Sequence, residues 1–294
     1  MKQAIWLGML LFACSAQAQP ISVTDDAGRQ VQIAQPAQRI ISLAPHATEL
    51  VFAAGGGKKL VGVVSYSDFP EEAKRIQNIG DNRQWDMERI IALKPDLLVV
   101  WQHGNAERQV EELRRLKIPL YYSQPKTMAE IADSLEKLGQ LIGTSGAARE
   151  AARQFRTELA QLQKQYAGKR PLRMFYQVWD KPLYTLNGQH IVSDAMRLCG
   201  AQNIFHQLSV LAPAVSTEAV LKENPDVIIT GDQGEQSTGG IKIWRQYSAL
   251  QAVKSGNLYE IDGALLSRAG PRMLQGARQL CQALEQARAR QAKP

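Results

Sequence analysis

Two stretches of the chain decide its fold: DMERIIALKPDLLVV at residues 86–100 and STEAVLKENPDVIIT at residues 216–230. They match at a constant offset of 130 residues, with a cap residue, a glutamate, an apolar pair, Pro-Asp and a β-rich run. Each predicts a short capped helix, a turn forced by proline and a buried strand. The glutamates, Glu88 and Glu218, fall in the first helical turn, where the helix dipole favours an anion. We therefore predict two related α/β lobes.

The segments around these stretches follow a strand–helix–strand rhythm. Residues 39–43 and 60–64 read as buried strands, and the helix between them is expected to be capped by Thr48. Alternation at residues 21–33 predicts a small hairpin. The rhythm is typical of a parallel α/β sheet.

A long helical stretch lies between the predicted lobes. Residues 127–141 carry an apolar stripe of helical period. The glycines of residues 143–146 interrupt this pattern, and residues 147–167 then continue without glycine or proline. One continuous helix between lobes predicts a stiff spine and argues against wide hinge motion. The predicted organisation is a signal peptide at 1–18, an N-terminal lobe at 19–143, a connecting helix at 144–168 and a C-terminal lobe at 169–294.

The N-terminus has the anatomy of a secretory signal peptide. Lys2 precedes an apolar run at residues 5–13, and Ala16-Gln-Ala18 supplies the small residues of a cleavage site. We predict cleavage after Ala18 and a periplasmic protein. The alternative is a lipid anchor through Cys14, although Phe12 is bulky for a lipoprotein signal.

Two cysteines, Cys199 and Cys281, remain after the predicted cleavage. An even pair in an exported protein predicts a disulfide, and two buried free thiols are the alternative. A bond closing a loop of about 80 residues would stabilise the fold by roughly 4 kcal/mol in the chain-entropy model.

Several classes of protein are disfavoured. The formal charge of +7 is scattered and ends in a basic tail, without the clustered basic face of a nucleic-acid binder. The chain lacks a Gly-rich phosphate loop, a nucleophile elbow, H-E-x-x-H and C-x-x-C, and its four histidines are far apart. We predict no enzyme, no resident cofactor and no metal site. The alternative from another class is an exported metal-dependent hydrolase.

Aromatic side chains lie at the ends of predicted strands, where ligands bind in open α/β sheets, and one, Trp85, precedes the helix that begins at Asp86. Flat, rigid rings at such positions suit a large flat ligand, and core packing is the alternative for each of them. His103 follows a strand in the same way. The candidates are Tyr66, Trp85, Trp101, His103 and Trp179.

Longer motifs resemble the family of periplasmic cobalamin-binding proteins that serve ABC importers. The resemblance covers nearly all of the chain after about residue 37, and its general pattern is shared with haem and siderophore receptors. SYSDFP at 65–70 and WQHGNAER at 101–108 are more particular to cobalamin binders. The other matching segments are ISLAPHATEL at 41–50, LCGAQNIF at 198–205, VSTE at 215–218, RAGPR at 268–272 and LCQAL at 280–284.

The resemblance implies two Rossmann-like lobes joined by one long helix, with cobalamin in the cleft between them. Tyr66 and Trp101 resemble the pocket aromatics of the family, and Arg268 resembles its pocket arginine. Glu88 and Glu218 resemble the paired glutamates, one on each lobe, that dock on arginines of the permease dimer. The two cysteines fall where the family has its disulfide. We expect the free protein to be monomeric.

Two positions depart from the family pattern. Asn82 and Ala212 stand where the family has tryptophans, and Trp85 and Trp179 are the nearest replacements. The same receptor architecture with another ligand is therefore the alternative. Haem would use Tyr66 or His103 as an axial ligand, and an anionic siderophore would use the arginines at 83 and 268. A binding module without transport is a further alternative.

Overall fold

The computed structural model describes residues 19–102, 107–232 and 239–291. Its core is two four-stranded parallel sheets joined through a long helix. The predicted signal peptide, Cys14 and His103 lie outside the described residues.

The first sheet has the strand order β4-β3-β5-β6, with every pair parallel. A short antiparallel hairpin, β1–β2, precedes it, as the alternation of residues 21–33 predicted. The strands of this half are β1 (Ile21–Thr24), β2 (Gln30–Ile33), β3 (Ile40–Ser42), β4 (Leu60–Val63), β5 (Leu97–Trp101) and β6 (Leu120–Ser123).

The second sheet has the order β10-β7-β11-β12, again with every pair parallel. In each four-stranded sheet the strand that comes first along the chain, β3 or β7, lies second in the order, next to the strand of the repeated stretch, β5 or β11. A two-stranded hairpin, β8–β9, follows the first strand of this half. The strands are β7 (Leu172–Gln177), β8 (Trp179–Asp180), β9 (Leu183–Tyr184), β10 (Ala201–Asn203), β11 (Val227–Asp232) and β12 (Leu258–Asp262).

Ten helices are assigned within the described part of the chain. None of these helices is both long and apolar enough to cross a membrane. Their bounds are α1 (Pro45–Ala53), α2 (Met87–Ala92), α3 (Glu107–Arg115), α4 (Met128–Ile142), α5 (Ser145–Tyr166), α6 (Ile191–Leu198), α7 (Thr217–Glu223), α8 (Gln251–Lys254), α9 (Gly263–Ser267) and α10 (Met273–Gln291).

Helices α2 and α7 begin in the same way. The Asp86 carboxylate accepts a hydrogen bond from the backbone N–H of Arg89 at 2.9 Å, and Ser216 Oγ accepts one from Ala219 at 3.1 Å. Both side chains satisfy a backbone donor that the first helical turn leaves free. The predicted caps are confirmed.

The Pro-Asp turns of the two stretches also match in three dimensions. The Asp96 carboxylate accepts from the backbone N–H of Arg39 at 2.9 Å, and the Asp226 carboxylate accepts from that of Arg173 at 2.8 Å. Each aspartate N–H in turn donates to the carbonyl of the same arginine at 2.8 Å. The same turn therefore joins the same pair of neighbouring strands in both lobes, which supports their relationship independently of the sequence match.

The prediction that Thr48 caps the first helix is wrong. Helix α1 already begins at Pro45, after Ala44, so Thr48 lies inside it. Proline at the first helical position has no N–H to satisfy and has its φ already fixed, which makes it a good helix start.

Helix α5 is the predicted connecting helix, and its 22 residues would span about 33 Å. Its buried face carries Phe155, Leu159, Leu162 and Tyr166, as the periodicity predicted. Helix α4 ends at Gly143, which adopts a left-handed conformation with φ 76°. The chain reverses there, and α4 packs along α5. Glycine suits that conformation because it has no Cβ.

The structure contains the predicted disulfide between Cys199 and Cys281. Both residues are fully buried. The bond ties the end of α6 to α10, so it closes the C-terminal lobe on itself. The alternative of two free thiols is excluded by this geometry.

Candidate functional site

The carboxyl ends of both sheets carry residues that the sequence singled out. Tyr66 follows β4 and Trp101 ends β5 in the first lobe. Trp179 follows β7, and Arg268 follows β12 and α9 in the second lobe. Ligands of open α/β sheets bind outside the carboxyl ends of the strands. The cleft between these two edges is therefore the candidate site.

Among the residues that the structure describes, Tyr66 is the most exposed large hydrophobic residue, with 68% of its surface accessible. Its φ is 66°, a left-handed conformation that bulky residues rarely adopt. The turn is fixed on both sides, since Ser65 Oγ donates to the Gly80 carbonyl at 3.1 Å and Ser67 N–H donates to the Val64 carbonyl at 3.2 Å. A strained, well-held, exposed aromatic ring is a feature of functional sites.

Hydrogen bonds between buried hydroxyl groups hold the turn that carries Tyr66 against the first sheet. The Thr48 hydroxyl lies 2.9 Å from Ser42 Oγ and 3.1 Å from Ser67 Oγ. All three residues are buried. They connect the end of β3, helix α1 and the loop that carries Tyr66, so the position of that loop is tied to the sheet.

Trp101 is half-buried and fixed by two partners. Its Nε1–H donates to Gln124 Oε1 at 2.7 Å. Its ring meets the imidazole of His46 edge to face, with ring centroids 5.9 Å apart. The ring therefore has a defined orientation, which suits a contact surface for a ligand.

His46 is buried, and burial lowers the pKa of its imidazole to about 4. A hydrogen bond that the imidazole donates to the Ser123 backbone opposes the shift, and the charge of Arg268 adds to it. The imidazole is therefore neutral near pH 7. Its Nε2 has no hydrogen-bond partner among the residues that the structure describes. A neutral ring can rest against Trp101 without the cost of burying a charge.

This burial predicts acid sensitivity. The stability that comes from a neutral His46 is present above pH 6.5 and is lost as the pH falls through about 4, because the unfolded state then binds a proton that the folded state resists. We expect the stability difference between wild type and His46→Gln to shrink by up to about 3 kcal/mol between pH 7.5 and pH 4. Urea unfolding at each pH measures it, with His206→Gln as the control for loss of an imidazole. Parallel pH profiles for wild type and His46→Gln would contradict the assignment.

A buried ion pair joins the two lobes. Glu49, on α1, is only 3% exposed. Its carboxylate accepts two hydrogen bonds from Arg272, one from Nε at 3.0 Å and one from a terminal nitrogen at 2.6 Å. This two-point geometry is the strong form of an arginine–carboxylate pair. The pairing raises the pKa of the Arg272 guanidinium, which stays charged.

Arg268 extends this pairing toward the loop of Tyr66. Its guanidinium lies 2.6 Å from Asp68 and 3.4 Å from Glu49. Burial acts to raise the pKa of Asp68, but the hydrogen bond and charge of Arg268 outweigh it, so that pKa is lowered. Arg272 also lies over the ring of Phe69, 4.1 Å from its centroid. We call Glu49, Asp68, Arg268 and Arg272 the interlobe network.

Trp85 and Trp179 differ in what they expose. Trp85 is only 4% exposed and packs in a core cluster of the first lobe. Trp179 is half-buried, and its Nε1–H donates to the Lys181 carbonyl at 3.1 Å. Contact of either ring with a ligand stays a prediction, and Trp179 presents more surface for it.

Glu88 and Glu218 both lie exposed in the first turn of their helices. Hydrogen bonds to its own backbone and to Ser216 lower the pKa of Glu218. Beside Glu88 lies an open groove of about 950 Å³, which is lined in part by Arg83 and Arg108. Both helices thus present a carboxylate to the surroundings.

Sequence reasoning gave no role to Glu49, Asp68 or Arg272. One signal was available, because Glu49 stands among the apolar residues of α1, and a carboxylate at a buried position requires a partner. The partner itself was not predictable, since Arg272 lies 223 residues further along the chain.

Comparison with known proteins places the chain among receptors of this architecture. A family model described as periplasmic binding protein matches residues 40–265. The chain is 41% identical over 247 residues to the vitamin B12-binding protein of Vibrio cholerae serotype O1, which covers 84% of this chain and 88% of that protein.

Solved structures agree with this placement. The crystal structure of the periplasmic vitamin B12 binding protein BtuF of Vibrio cholerae matches with a TM-score of 0.80 and 40% identity, over 86% of this chain and 98% of that one. A periplasmic heme binding protein from Pseudomonas aeruginosa matches with a TM-score of 0.74 and 22% identity, over 84% and 92% of the two chains. At 22% identity, the similarity to the heme binding protein supports the fold of this chain and not its ligand. The predicted two-lobed α/β architecture is confirmed.

Proposed function

The chain belongs to the periplasmic binding protein family, and from that premise we propose that it captures cobalamin between its lobes and delivers it to an ABC importer. The observation that carries the proposal is the placement of Tyr66: an exposed ring, held in a strained turn, at the carboxyl edge of the first sheet. The extensive identity with vitamin B12-binding proteins supports cobalamin as the ligand.

Capture would be entirely noncovalent. A corrin has a broad apolar face and a rim of amide side chains. Tyr66 and Trp101 supply flat contact surface from one lobe, and Trp179 and Arg268 face the cleft from the other in this proposal. Large aromatic rings contribute much of the binding energy at such sites because they are rigid and bury a large area. The relatives are binding proteins, and the chain itself would carry out no bond-making step.

Limited lobe movement fits this role. Helix α5 crosses between the lobes as a single continuous element, and the interlobe network adds charged contacts on the same junction. The boundaries 19–143, 144–168 and 169–294 remain our proposal for the division of the mature chain. We propose export through residues 1–18 and a location in the periplasm, where the family functions, with a lipid anchor at Cys14 as the alternative.

Delivery would use the two exposed glutamates. Glu88 and Glu218 occupy equivalent positions on related lobes, so they present two similar charges to a partner. A permease dimer with two-fold symmetry offers two equivalent surfaces. Arginines on those surfaces would pair with the carboxylates.

Ligand titration of the purified mature protein tests the proposal. Calorimetry and absorbance are measured with cyanocobalamin, hydroxocobalamin and hemin in parallel. We expect tight one-to-one binding of a cobalamin. Absence of cobalamin binding, with a shift of the hemin Soret band instead, would show that Asn82 and Ala212 mark a receptor for haem.

A further inference from the structure

The interlobe network, which joins Glu49 and Asp68 of one lobe to Arg268 and Arg272 of the other, has a consequence for ligand choice. We propose that it neutralises the arginines beside the cleft and thereby selects an uncharged, amide-bearing ligand against an anionic one of the same shape. The inference rests on the proposed function and adds a specificity determinant to it.

The network lies next to the candidate site. Asp68 is two residues from Tyr66 in the same loop. Arg268 lies close enough to His46 for its charge to lower the pKa of that imidazole, and His46 in turn contacts Trp101. Charge in this network is therefore felt at the wall that carries both proposed ligand aromatics.

The pairing leaves neither arginine available as a bare cation. Arg272 is held at two points by Glu49, whose side chain is only 2% exposed. Arg268 is 16% exposed and lies between two carboxylates, at 2.6 Å from Asp68 and 3.4 Å from Glu49. The two positive charges of the arginines are thus balanced by the two negative charges of the carboxylates within the interlobe network.

An anionic ligand gains little attraction from this arrangement, because two carboxylates already offset the two guanidinium charges. Its own charge must still leave water to enter the cleft, and this loss of hydration is unfavourable where no unpaired cation compensates it. An amide carbonyl carries no charge to desolvate, and it can still accept a hydrogen bond from guanidinium N–H groups that the carboxylates leave free. The same residues therefore accept a neutral acceptor and resist a carboxylate.

Cyanocobalamin and its peripheral monocarboxylates provide the matched probes. In each monocarboxylate one propionamide has become a propionate, so that size and shape are kept and one negative charge is added. We expect wild type to bind at least one of the three propionate isomers roughly tenfold more weakly than cyanocobalamin. We expect Asp68→Asn to reduce that ratio to about threefold or less, because Arg268 then has a free charge to offer.

Two further variants isolate the cause. Glu71→Gln removes the same charge from the same loop, at a side chain that is 74% exposed and paired with Lys74 instead. It should leave the wild-type ratio unchanged. Asp68→Asn combined with Arg268→Gln should restore discrimination, since the freed cation is gone. Asp68 is itself half exposed, so its replacement should not disturb folding.

The outcomes separate this inference from the proposed function. If wild type does not bind cyanocobalamin, the proposed function fails. If wild type binds it but Asp68→Asn leaves every isomer's ratio at the wild-type value, or Glu71→Gln changes the ratio equally, the network does not set specificity and the inference is overturned.

Discussion

Charge reversal of both Glu88 and Glu218 to arginine is expected to reduce importer-dependent cobalamin uptake to the level of cells that lack the protein. Each single reversal should reduce uptake by about tenfold or more, because like charges placed face to face at an interface are strongly unfavourable and about 1.4 kcal/mol already corresponds to a factor of ten. Uptake of labelled cyanocobalamin in cells that carry the importer measures the effect.

The reason for this expectation lies in the repeat. Both glutamates are exposed and lie in the first turn of short helices with matching caps, so their exchange should leave the folds of the lobes intact. The cleft residues lie on other elements. Affinity for cyanocobalamin in the purified variants should therefore stay within about twofold of wild type.

A matched control uses Glu150→Arg with Glu260→Arg. Both of these glutamates are exposed, one on α5 and one on β12, and the pair changes the net charge by the same amount. Uptake should persist in this control. Wild-type uptake by the variant with both Glu88 and Glu218 reversed would refute the proposal that these glutamates dock the protein on the importer.

Replacing Tyr66 by glycine is expected to weaken cobalamin binding by about 30-fold or more, since a central aromatic contact contributes on the order of 2 kcal/mol or more. The same change should raise the stability of the free protein by up to about 1 kcal/mol, because glycine adopts a φ of 66° without strain. Affinity and stability thus move in opposite directions.

Lys117→Gly is the matched control for the backbone. Lys117 also has a positive φ, 56°, at an exposed position. It precedes the start of β6 and therefore lies away from the carboxyl ends of the strands. This variant should gain stability in the same way and keep its affinity. Calorimetric titration and thermal unfolding give both quantities. Unchanged affinity in Tyr66→Gly would remove Tyr66 from the site.

Much of the fold could be predicted because short segments of the sequence specify their own local structure. The caps at Asp86 and Ser216, the Pro-Asp turns and the β-rich runs each specify short-range structure, and their repetition indicated two related lobes. The stripe of Phe155, Leu159 and Leu162 identified the buried face of α5 from helical periodicity alone.

The parts that the sequence did not reveal depend on contacts between distant segments. The pairing of Glu49 with Arg272 arises only when the two lobes meet. The burial of the Trp85 ring among core residues of the first lobe likewise depends on segments that are distant along the chain, and its contact with a ligand stays a prediction. The prediction for Thr48 failed because Pro45, three residues earlier, already begins helix α1.

Capture between the lobes is tested most directly by a crystal structure of the mature protein grown with cyanocobalamin. We expect one corrin between the lobes, in contact with the ring of Tyr66 on one side and with residues of the second lobe, including Arg268, on the other. A corrin bound elsewhere on the molecule, or a cleft closed by the lobes themselves with no corrin in it, would show that the protein does not capture cobalamin between its lobes.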